Sequence, residues 1–81
     1  MKGEMKYCVD TVELRKLMIE KGIESFGEMA RISGVNRGTV AKVVKGLARP
    51  STDVMDRFID ALEMESTVAG AVFFKQVLRN T

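Results

Sequence analysis

Apolar residues recur three and four positions apart along most of the chain, and glycines at 22, 34 and 46 with the single Pro50 cut that pattern into short pieces. Leu14, Leu17 and Met18 lie on one helical face. Asp10 and Glu13 before them have capping-box spacing, and Val9 is placed to pack on Leu14 as a hydrophobic staple. A helix over about 11–21 is predicted, stopped by Gly22. Ser25 and Glu28 form a second capping box, opening a helix over about 26–33 whose apolar contacts are Phe26, Met29, Ala30 and Ile32. Gly34 then turns the chain, and Asn36 is a good N-cap for a third helix over 37–45. Gly46 ends that helix, with Leu47 expected to plug the core under the following loop. Ser51 caps a fourth helix over about 52–64, which carries Met55, Phe58, Ile59 and Leu62 at i, i+3, i+4, i+7. Ser66 opens a fifth over 67–80, with Val68, Val72, Phe73, Phe74, Val77 and Leu78 spread around much of its circumference. The reading is all-α: a five-helix domain over 10–81 with an N-terminal arm over 1–9.

The third helix has the clearest orientation. Turned at about 100° per residue, Val40, Val43 and Val44 fall on one side. Gly38, Lys42 and Lys45 fall opposite, Ala41 lies beside them, and Arg37 and Thr39 flank the strip. Three β-branched residues lower helix propensity, so packing must hold this helix. The outward strip has no acid, has cations that reach phosphates or base edges, and has small residues where a backbone approaches closely. A major groove accepts such a surface. Gly38 costs about 1 kcal/mol against alanine in a helix interior; it either makes room for DNA or relieves crowding against the second helix.

Charge sharpens this picture. The 81 residues carry 13 cations and 11 acids. Arg31, Arg37, Lys42, Lys45 and Arg49 fall within 29–52, a stretch without an acid; the other eight cations share the rest of the chain with all eleven acids. One basic face meeting a polyanion accounts for that asymmetry, and so does a solvated basic surface. With no histidine and one cysteine, Cys8, zinc sites of the usual kinds and Ser–His or Cys–His catalytic pairs are excluded. Cys8 has no intrachain partner and is either a free thiol or a link to another chain. The expectations are no enzyme, no cofactor, no metal and no small-molecule ligand. No apolar run approaches the roughly 20 residues of a membrane span, and the start MKGEMKYCVD lacks a signal peptide's apolar core, so a cytoplasmic protein is expected.

The stretch EMARISGVNRGTVAKVVKG resembles the Cro/CI-type (XRE) helix-turn-helix of phage and bacterial regulators. Met29-Ala30 stands for the family's Leu-Ala pair, Gly34 for its turn glycine, and Val35 for the apolar residue that follows. Asn36 stands for the polar cap, Val40 for the buried aliphatic, and Gly46 for the terminating glycine. RPSTDVMDRFIDALEME resembles the fourth helix, so the likeness covers about 14–64. It implies a compact lambda-repressor-like fold and a phage-repressor-like transcriptional regulator of double-stranded DNA. On this likeness Arg37, Gly38, Thr39, Ala41 and Lys42 read bases, with Ala41 against a thymine methyl, and Asn36, Lys45 and Arg49 hold phosphates. The chain departs from the family where Phe26 replaces a phosphate-binding glutamine and Lys45 replaces a common asparagine. A homodimer is expected, with Phe73, Phe74, Val77 and Leu78 of the last helix at its interface. The alternative is a protein-interaction module, an antitoxin or antirepressor partner, keeping the fold without specific DNA binding.

Overall fold

A computed structural model describes the backbone of residues 3–80 and the side chains of residues 7–76. Five helices follow in order: α1 Thr11–Glu20, α2 Phe26–Ser33, α3 Arg37–Val44, α4 Thr52–Leu62 and α5 Ser66–Phe73. The five-helix, mostly helical fold expected from the pattern is present. Strands β1 Gly3–Cys8 and β2 Lys75–Asn80 pair antiparallel, with Gly3 opposite Asn80 and Cys8 opposite Lys75.

The side-chain caps form where the sequence places them on α1 to α4, but Ser66 does not cap α5: it is the first residue of that helix, and Glu65 before it makes no side-chain cap. Asp10 accepts from the Glu13 amide at 3.1 Å, and Ser25 accepts from the Glu28 amide at 3.0 Å. Ser51 accepts from the Val54 amide at 3.2 Å. Each satisfies one of the amides that a helix start leaves free. Glu28 reaches back to the Glu24 amide (2.8 Å), one residue before the cap. Three helices end alike. The amides of Ile23, Leu47 and Met64 reach back to the carbonyls of Met18, Lys42 and Ile59 across a left-handed residue.

The core runs through all five helices. Leu14, Met29, Val40, Val43, Val44, Phe58 and Val72 are fully buried. Phe58 and Phe73 meet with ring centroids 6.3 Å apart. Val9 packs on this cluster, as does Leu17. Two expected core contacts lie elsewhere. Leu47 is 73% exposed; the loop after Gly46 buries Pro50 instead. Ile32 is exposed on the outer side of α2.

The last segment departs most from expectation. The helix predicted over 67–80 ends at Phe73, and residues 75–80 form β2. No glycine or proline marks the change; it is made by pairing with β1, a partner almost the whole chain away. The Asp10 amide bonds the Val72 carbonyl at 2.7 Å, so the end of α5 already lies beside the start of α1. From there the two flanking segments zip together. Phe73 faces the core (2% exposed), which removes it from the expected dimer interface. Phe74 is half exposed and meets Tyr7 edge-on, centroids 6.1 Å apart. Val77 and Leu78 lie opposite Lys6 and Met5 in the ribbon; their side chains fall outside the described residues.

Candidate nucleic-acid interface

The turn between α2 and α3 is fastened by one hydroxyl. Ser33 is buried, donates to the Met29 carbonyl at 2.7 Å and accepts from the Val35 amide at 3.2 Å. Gly34 follows at φ 75°, where L side chains are strained, and a Cβ there would lie 2.9 Å from Arg57 Nη1. Arg57 is in turn held by Asp53 of α4 at 3.0 Å. The turn is thus pinned from inside by Ser33 and flanked from outside by α4. Val35, buried after it, anchors the approach to α3.

α3 then starts on Asn36, whose side chain accepts from the amides of Gly38 (2.8 Å) and Thr39 (3.4 Å). This geometry bears on Gly38. A Cβ at that position would lie 3.1 Å from the capping oxygen of Asn36, and α2 is not among its near neighbours. Crowding against α2 is therefore not what the glycine relieves. It leaves the cap undisturbed and the outer surface of the first turn flat.

The helix is seated with its valines inward. Val40, Val43 and Val44 have no exposed surface. Gly38, Lys42 and Lys45 are exposed on the opposite side, and Thr39 and Ala41 are partly covered at its margins. Asn36 and Arg49 are also exposed, Asn36 at the start of α3 and Arg49 in the loop after it, in a recess shared with Cys8, Val9 and Leu47. Of the positions singled out for DNA contact, Gly38, Lys42 and Lys45 share the outer side of α3, with Arg37 set to its flank. Lys45 extends across the Phe26 ring of α2, Nζ 5.8 Å from the centroid. Phe26 is partly buried rather than wholly in the core. Arg37 lies along the start of α2, its Nε 3.8 Å from where a Cβ on Gly27 would be.

Arg37 and Phe26 also line a shallow depression of about 460 Å³ together with Arg15, Met18, Ile19, Ile23, Glu24, Ser25 and Val44. Arg15 escapes a search by charge because it lies outside the acid-free stretch, between Glu13 and Glu20. Its only sequence signal is position: it precedes Met18 and Ile19 by three and four residues and so shares their side of α1.

Residues 13–65 match the family model described as the Cro/C1-type HTH DNA-binding domain. The match runs from α1 through the end of α4 and leaves out β1, α5 and β2. No curated protein and no solved structure matches the chain. Among the described residues no helix is long and apolar enough to cross a membrane.

Proposed function

The chain belongs to the Cro/C1-type helix-turn-helix DNA-binding family, and on that premise we propose that it is a sequence-specific transcriptional repressor that lays α3 in the major groove of an operator. The observation that carries this reading is the orientation of α3: three valines with no exposed surface on one side, and Gly38, Lys42 and Lys45 exposed on the other. Lys42, Thr39 and Ala41 face the base edges. Lys42 has the reach for guanine, and Ala41 has the size for a thymine methyl. Gly38 lets the backbone come close. Asn36, Lys45 and Arg49 bracket the strip and meet phosphates, which position the protein without choosing sequence. Repression follows from occupying a site that polymerase needs. So few polar readers leave part of the selection to DNA shape.

The protein acts as a homodimer on an inverted repeat with half-sites about 34 Å apart. Its contact surface is smaller than the terminal helix of the sequence reading, because Phe73 is in the core. Half-exposed Phe74 beside Tyr7 supports it, as does the open face of α5 at Gly70, where a Cβ would meet nothing within 4 Å.

Selection of bound duplexes from a random pool, followed by gel shifts over a salt series, tests the proposal. The expected result is a two-fold symmetric site whose log K falls with log salt by roughly 0.9 per phosphate neutralised. Absence of any shift, even at low salt, would replace it with the protein-interaction reading.

A further inference from the structure

The depression between α1, the start of α2 and the flank of α3 gathers two cations that lie off α3's groove strip and has a third, from the end of that strip, at its edge. Arg15 and Arg37 line it, and Lys45 reaches over Phe26 at its edge. All three side chains are exposed, and among the described residues none pairs with a carboxylate. One acid, Glu24, shares the lining; the nearby Glu28 is engaged with the Glu24 amide. An anion entering this depression therefore meets net positive charge.

Helix geometry separates Arg37 from the reading strip. At about 100° per residue, Arg37 lies roughly 20° from Val44, seven positions on, and roughly 110° from the middle of the Gly38–Lys42–Lys45 strip. Val44 and Arg37 accordingly line the same depression. A side chain on that flank is directed past the groove toward the strand that borders it. There a guanidinium fork can pair bidentately with phosphate oxygens.

We propose that Arg15, Arg37 and Lys45 form one seat for a backbone phosphate of the DNA, and that Arg37 therefore fixes the register of α3 in the groove and does not select its sequence. The inference rests on the DNA-binding reading above. It assigns a contact to α1, gives Arg37 a positioning role, and leaves base selection to Thr39, Ala41 and Lys42. Phe26, in the place of a hydrogen-bonding residue, contributes by holding Lys45 over its ring, a cation–π contact that steers the ammonium to this edge.

The test compares the whole chain with its R15A, R15K and R37A variants on the selected operator and on a random duplex across a salt series. R15A and R37A are each expected to weaken both duplexes by the same factor, about five- to tenfold, and to lower the salt slope by roughly 1. R15K keeps the charge and keeps most of the slope. The inference is overturned if R15A binds both duplexes like the parent chain, if R15K behaves like R15A, or if R37A changes the ratio of operator to random binding. Failure of the parent chain to bind any duplex would instead overturn the DNA-binding reading, and this inference with it.

Discussion

α3 and α5 are both eight residues long, both rich in β-branched or small residues, and both pressed against the same core. Their ends differ. α3 is closed at both: Asn36 caps two amides, and Gly46 at φ 77° turns the chain away. α5 begins on Glu65, which makes no side-chain cap, and runs into a strand at Phe74 with no left-handed residue to stop it. A helix whose limits are written in its own residues is legible from them. A helix limited by what its neighbour pairs with is not, because the deciding hydrogen bonds come from a segment some seventy positions earlier. The family match follows the same division, spanning the self-terminated helices and stopping at Glu65.

The largest test of this contrast concerns the two adjacent phenylalanines. F73A should lower unfolding stability by about 3–5 kcal/mol, the cost of emptying a buried aromatic site, measured by urea denaturation. F74S should cost less than half as much and shift sedimentation from dimer toward monomer. Equal losses for the two variants would mean that α5 continues as a helix with both rings differently placed. A smaller effect comes from exchanging the caps. N36A should remove about 1 kcal/mol by freeing the Gly38 and Thr39 amides, and E65S should add up to about 1 kcal/mol by supplying the cap that α5 lacks. If E65S gives no gain, the start of α5 is held by packing alone. Smallest is a pH effect at the end of α4. The Lys21 ammonium bonds Glu63 and holds its carboxyl below the ordinary 4.5. Stability from this pair is therefore full above pH 4.5 and declines as pH falls through the lower folded-state value. E63Q should flatten that part of the acid denaturation curve slightly, since both groups are largely solvated.

The residues explain what was readable. Asp10, Ser25, Asn36 and Ser51 announce helix starts by a local mechanism, and each forms its bond. The valines of α3 follow a period that only one orientation buries, so the side of the helix left to solvent was set before any tertiary detail. Ser33 carries no such signal, because a hydroxyl inside a helix gives no hint that it will bond both Met29 and Val35. Leu47 departs from expectation because an apolar residue after the left-handed residue that ends a helix usually turns inward, as Ile23 and Met64 do; here the loop seats Pro50 instead. Arg37 flanks the groove strip by its angle on the helix, and the family resemblance alone implies a base contact for it; its place beside Gly27 is visible only in the fold and underlies the positioning role proposed above. Arg15 carried charge in a segment that also holds acids, and only folding brings it beside α2.

The bond from the Asp10 amide to the Val72 carbonyl makes the whole helical bundle act as the loop of a hairpin. Until that bundle is assembled, bringing the two ends together carries the entropy of closing a long chain; afterwards each further rung adds to a junction already made. Two strands alone hold only marginally in water. Amide exchange along the ribbon is therefore expected to be graded, slowest where Cys8 meets Lys75 beside the bundle and faster with distance from that junction.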